Sequence, residues 1–160
     1  MKENILIITM ILITNLSFAQ LDLDYFNYDK KEFISPSIEN LVKGLNATFD
    51  DWKSELKGAG FRKMDDKDGI FIYINGEVGK ISQLMSKAKK EGVVIIQWYD
   101  LENKKVIMED IEKKIVNNYA YTEHENKKYY IVKYLDTDYL ISIERTPDYG
   151  MEEILIRKAY

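Results

Sequence analysis

The sequence predicts an α+β domain, with amphipathic helices packed on a mainly antiparallel sheet. Three observations lead there. Apolar residues recur at helical spacing from Ile38 to Leu56 and again at Met108, Ile111 and Ile115. Runs rich in β-branched and aromatic residues at Ile70–Ile74, Val93–Tyr99, Lys128–Leu135, Tyr139–Arg145 and Met151–Lys158 read as strands. The last three runs are joined by short turn-rich links, Asp136-Thr137-Asp138 and Pro147-Asp148-Tyr149-Gly150, which favours an antiparallel meander.

The first helical stretch opens at Ser35-Pro36. The serine hydroxyl can accept from free backbone N–H groups of the first turn, and proline at the next position gives up an N–H that would be unpaired anyway. Ile38, Leu41, Val42, Leu45, Phe49, Trp52 and Leu56 then share one face of a 3.6-residue helix. Gly44 interrupts the pattern, and Thr48 with Asp51 forms a second start of the capping-box kind. The stretch is therefore one helix, or two over Pro36–Gly44 and Phe49–Lys57, with the same residues buried in either case. Gly58 and Gly60 supply the stop. Asn46-Ala47-Thr48 also matches a glycosylation sequon, but capping is the better use of Thr48.

Ahead of this unit, Leu21-Asp22-Leu23-Asp24 alternates apolar and acidic residues, as an edge strand or an extended arm over residues 20–34 would. After it, Asp65-Asp66-Lys67-Asp68-Gly69 lacks the spacing and downstream glutamate of a calcium loop and reads as a hairpin turn. Asn75-Gly76 should turn the chain out of the strand ending at Ile74. Ile81, Leu84, Met85 and Ala88 fall at helical spacing, with lysines at 80, 87, 89 and 90 near the C-terminal turn, so Lys80–Lys90 is expected as a helix. Val93–Tyr99 is apolar enough to be buried on both faces or central in its sheet. Met108, Ile111 and Ile115 mark a second, shorter amphipathic helix that ends near Asn117-Asn118, and after Tyr119-Ala120-Tyr121 a polar turn runs through Asn126.

Read in order, the chain gives a helix, a turn aromatic and strands, twice. Trp52, Leu56 and Phe61 loosely echo Ile111, Ile115 and Tyr119. This layout of two loosely similar helix-plus-sheet halves is similar to scaffolds of the β-lactamase-inhibitor-protein type, in which such units occur in tandem. The resemblance is one of layout and implies an architecture only.

Met1-Lys2-Glu3-Asn4, the apolar run Ile5–Leu16 and Ser17-Phe18-Ala19-Gln20 have the order of a cleavable signal peptide over residues 1–19. The apolar run is about twelve residues, short of the roughly 20 that a membrane span needs. The expectation is an exported protein, periplasmic or secreted, with no membrane span after cleavage. Residues 35–160 would form a single domain. No cysteine is present, so neither disulfides nor thiolate metal ligands contribute. A net charge of −4 with interspersed lysines and acids lacks the basic stripe that neutralises phosphates, which argues against nucleic-acid binding.

His124 is the single histidine, set between Glu123 and Glu125 in an expected turn. It leaves no His-rich metal site, and no serine sits in a nucleophile elbow. The adjacent acids Asp50-Asp51, Asp65-Asp66 and Glu152-Glu153 are the only hint of a carboxylate-dependent hydrolase. No phosphate loop or dinucleotide fingerprint is present, and no cofactor is expected.

Among the 12 tyrosines, Tyr129, Tyr130, Tyr134 and Tyr139 cluster in the C-terminal strands. Tyrosine suits half-buried strand surfaces and also binding surfaces, where it offers a rigid apolar face and a polar tip. These four are the candidate binding residues. The functional expectation is a non-catalytic binding protein of the bacterial cell envelope, engaging an unknown protein or small ligand. The alternative is an inhibitor or immunity-like protein that neutralises an enzyme or toxin.

Overall fold

Helix formation begins two residues later than Ser35-Pro36 indicates. Ser37 Oγ accepts the Asn40 N–H at 3.1 Å and caps α1, Ile38–Asn46. The Ser35 N–H donates instead to Asp24 O at 2.8 Å, which ties the segment before the helix back to the chain start. Extended backbone at Ala47 ends α1, and Thr48 caps α2, Phe49–Gly58, in a capping box with Asp51. The bonds from Thr48 hold the Asp51 carboxyl below its usual range. There are thus two helices, parted at Ala47 rather than Gly44. Gly60, at φ +82°, turns the chain out of α2.

The structure, a computed structural model, describes residues 21–28, 30–65, 69–76, 82–88, 94–99, 109–146 and 151–159. Besides α1 and α2 it contains β1 (Tyr25–Tyr28), β2 (Lys31–Ile34), β3 (Arg62–Asp65), β4 (Ile70–Gly76), β5 (Ser82–Ala88), β6 (Val94–Tyr99), α3 (Glu109–Asn118), β7 (Tyr121–His124), β8 (Lys127–Tyr134), β9 (Thr137–Thr146) and β10 (Met151–Lys158). Strands β3 to β10 form one eight-stranded sheet in the order β3-β4-β5-β6-β10-β9-β8-β7, with antiparallel pairing throughout. The α+β layout is as the sequence indicates, with the sheet dominating. Each half is a helix followed by four strands, and the halves meet where β6 pairs with β10. Leu56 and Ile115 are fully buried at matching places in α2 and α3.

Several local expectations change. Ser82–Ala88 is strand β5, not part of a helix over Lys80–Lys90. A short apolar pattern fits both periods, and two complete neighbouring ladders, β4 and β6, outweigh it. Gln83, Met85 and Lys87 are buried, while Leu84, Ser86 and Ala88 are half-buried, which is a strand's alternation. Asn75 and Gly76 belong to β4 and pair with Gln83 and Ser82 rather than turning the chain. Tyr121–His124 is a strand as well. Only Glu125 and Asn126, both with positive φ, turn the chain into β8. Leu135 and Asp136 do the same between β8 and β9. The Pro147–Gly150 link, Met108 and the leader, residues 1–19, fall outside the described residues. Within the run from Val93 to Tyr99, the described strand Val94–Tyr99 is central in the sheet, as its composition indicates.

The N-terminal arm is a hairpin of its own, docked by side-chain amides. Asn40 accepts from the Asp24 N–H at 3.1 Å and donates to Asp24 O and Ser35 O at 2.9 Å each. Gln83 bonds both the N–H and the C=O of Ile34 at 2.8 Å, imitating a strand partner. Asn75 donates to Glu32 O at 2.6 Å. Tyr25 donates to Glu55 at 3.0 Å, and burial with that carboxylate pushes its phenol far above the usual range.

The elbow between α1 and α2 is the tightest point of the core. Trp52 Nε1–H donates to Gly44 O at 2.8 Å, and a Cβ at Gly44 would meet the indole at 2.5 Å. Lys87 reaches the same elbow from β5. Its ammonium donates to Gly44 O at 3.1 Å, Leu45 O at 2.9 Å and Ala47 O. These carbonyls end α1, where the helix carries partial negative charge. Desolvation lowers the Lys87 pKa to about 8, against the opposing pull of Asp51.

Gly44→Ala should cost about 1–3 kcal/mol by overpacking against Trp52. Gly58→Ala, with no atom within 4 Å of its new Cβ, should be neutral or stabilise by up to about 1 kcal/mol. Urea denaturation of both variants reads the contrast. The folded-state pKa of Lys87 lies below its unfolded value of 10.5, so the unfolded chain binds more protons between about pH 8 and 10.5 and stability should rise with pH across that window. Lys87→Met should remove this rise while leaving the Leu45 and Ala47 carbonyls unpaired. Denaturation of both proteins at pH 7, 8, 9 and 10 checks it, since the wild-type-minus-variant difference must grow with pH.

Candidate functional site

Strand alternation decides which side chains in the C-terminal sheet are available. Tyr130, Val132, Tyr139, Ile141, Ile154 and Ile156 all point into the core with the helices. Tyr130 is 8% exposed and Tyr139 4%, and Tyr134 packs against the edge of the same cluster. Tyr129 stands on the other face. The four candidate tyrosines therefore do not form one surface, because three of them lie on the helix-covered side.

The other face carries Tyr129, Ile131 and Lys133 from β8, Asp138, Leu140 and Ser142 from β9, and Leu155 and Arg157 from β10. Leu140 lies directly opposite Ile131 on one side and Arg157 on the other, and Ser142 lies opposite Leu155. No described helix covers this face. Ser142 is buried, Leu140, Leu155 and Tyr129 are half-buried, and Ile131 is exposed.

Arg157 is the chemically unusual member. Its guanidinium carbon lies 4.9 Å from the centre of the Tyr129 ring. Its Nε is enclosed and has no hydrogen-bond partner. Among the described residues it forms no ion pair. Asp138, opposite Lys133 in the register, pairs with neither cation. Period-two reading of the last strand could have found this residue, since facing Ile154 and Ile156 inward places Leu155 and Arg157 outward.

A second concavity, of about 530 Å³, lies between α3 and the β8–β9 end of the sheet, lined by Glu112, Val116, Lys127, Tyr130, Ile143 and Arg145 among others. Val116 is 46% exposed there, and Tyr121, 50% exposed, lies 5.8 Å from Tyr130 by ring centres. Most of its charges satisfy one another, while Lys128, also in the lining, lies over the Tyr121 ring at 4.6 Å. Arg145 is held by Glu112 and by Glu152 at 3.0 Å, and Lys127 by Glu144 at 2.5 Å, which raises the Lys127 pKa. The remaining cation of the cleft is a solvent-exposed lysine, whereas that of the open face is a guanidinium with an enclosed Nε and, among the described residues, no ion pair.

His124 lies on the edge strand β7 rather than in a turn, is exposed, and has Glu125 at 3.8 Å. Of the adjacent acids, Asp50 faces Lys53 at 4.0 Å and Asp51 caps α2. Glu152 meets Arg145, while strand alternation sends Glu153 to the other face. Among the described residues no group of three or more His, Cys, Asp or Glu could hold a metal ion, and no helix is long and apolar enough to cross a membrane. No family model matches the chain, nor does any curated protein or solved structure.

The Tyr129–Arg157 stack should be measurable in the free protein. A double-mutant cycle with Tyr129→Leu and Arg157→Met should give a coupling of about 0.5–1 kcal/mol in urea denaturation.

Proposed function

We propose that this chain is an exported, non-catalytic binding protein of the bacterial cell envelope, and that it engages a partner through the face of the sheet opposite its helices. The observation that carries the reading is the Tyr129–Arg157 pair, a stacked cation without an acidic counterpart among the described residues, set among Leu140, Leu155 and Ile131. Tyrosine and arginine are enriched where binding energy concentrates at protein interfaces, and half-buried aliphatics around them exclude water on contact. The leader-like order of residues 1–19 supports export. The Glu112, Glu144 and Glu152 carboxylates are paired with cations, which favours a structural use for them over acid–base work.

A photo-crosslinking residue in place of the exposed Ile131 should yield a discrete adduct in cells. The same residue in place of Ser54, exposed on α2, should not. Adducts only from position 54 would remove the open face as the docking surface. Mass spectrometry of the chain from fractionated cells should find it beginning at Gln20. Met1 retained in a membrane fraction would overturn the export part of the reading.

A further inference from the structure

The open face also indicates what kind of group it receives. We infer that Arg157 is the specificity-determining residue of this face, and that it accepts the carboxylate of an Asp or Glu side chain on the surface of a partner protein. This deepens the proposed function and rests on the open face being the docking surface.

Three features of the structure carry it. First, the guanidinium is a cation without a counter-ion among the described residues, although acids stand nearby. Glu144 is engaged by Lys127 at 2.5 Å, and Asp138 pairs with neither Arg157 nor Lys133. Glu153, on the same face, has its own interaction. A field left positive at this point complements a negative group on the partner. Second, the side chain is held in place before any partner arrives. Its ring stack on Tyr129 at 4.9 Å and the enclosure of Nε fix the plane of the fork, so little rotamer freedom is lost on binding. The two terminal nitrogens, with four N–H donors, remain as the end that can meet a carboxylate with two parallel hydrogen bonds. Third, the surround is apolar. Leu140 and Leu155 neighbour Arg157 in the ladder, and Ile131 lies beyond Leu140. Removing water from such a ring strengthens a charge-assisted pair at its centre.

The surround also separates the candidates for that negative group. A phosphate carries up to two charges and three acceptor oxygens, and calls for several donors. Here Asp138 stands directly opposite the second cation, Lys133, and its negative charge on this face disfavours a dianion. One carboxylate, one charge and two acceptor atoms match one guanidinium. The apolar residues span β8, β9 and β10, an extent that fits a protein surface around the acid.

The test uses the isotopically labelled full chain and three defined probes, the capped tripeptides Leu-Glu-Leu and Leu-Gln-Leu and inorganic phosphate. In NMR titrations at millimolar concentration, the Glu peptide should shift the Arg157 Nε–H signal and the backbone signals of Tyr129, Leu140 and Leu155. It should bind about tenfold more tightly than the Gln peptide, the scale of one charge-assisted pair. Arg157→Met should abolish that preference without changing the weak response to the Gln peptide. Arg157→Lys should keep only part of it, because the fork is lost. Equal affinity for the two peptides, no response to the Glu peptide, or a stronger response to phosphate would each overturn the carboxylate assignment. None of these touches the docking face itself, which is read separately from the adduct at position 131.

Discussion

The Gly44 carbonyl is the point on which the helix layer depends. It accepts from the Trp52 indole and from the Lys87 ammonium, so one atom joins α1, α2 and the middle of the sheet. Each participant is fixed by the others. The indole can reach the carbonyl only because Gly44 has no side chain, and the ammonium is tolerated in the core only because the last carbonyls of α1 surround it. Around this elbow Trp52, Phe49, Phe71 and Tyr73 form a continuous aromatic set, with Phe71 and Tyr73 stacked at 4.4 Å.

That elbow accounts for the unequal faces of the sheet. Helices and the N-terminal hairpin crowd one side, and amides at positions 40, 75 and 83 lock the hairpin there. Tyr130 and Tyr139 are drawn to that side and buried there, with Tyr130 at the lining of the α3 cleft. The opposite side carries Tyr129, aliphatics, serines and charged residues, with Ile74, Ser82 and Ser142 buried on it. A fold of this kind makes one rigid layer and leaves part of the other surface for recognition. The tandem helix-then-strands order brings both halves' last strands together at the centre of the sheet.

Much of the fold was legible because local chemistry and tertiary outcome agreed. Thr48 with Asp51 reads as a capping box and is one, and the strands from Lys127 to Lys158 appear within a residue or two of their apolar runs. The failure at Lys80–Lys90 has a specific cause. Four apolar residues over eight positions satisfy two periods, and Lys87 looked like a solvated end-of-helix cation. It is indeed at a helix end, but that of α1, a segment 40 residues away in the chain, which no local pattern can reveal. The site shows the same limit. A cluster of tyrosines is visible in the sequence, but adjacent strand residues point apart, so Tyr129 and Tyr130 serve opposite layers.

By itself, then, the sequence determined most of the elements, the Thr48 cap, the turn at Asp136 and much of the apolar content of the core. Backbone hydrogen bonding and period-dependent burial act over a few residues, and those preferences are written locally. The tertiary structure alone decided that Ser82–Ala88 would be a strand, that Lys87 would close the end of α1, and that Arg157 would lie on Tyr129. Each of these is a meeting of residues distant in sequence, governed by which ladders and which charges the folded chain brings within reach.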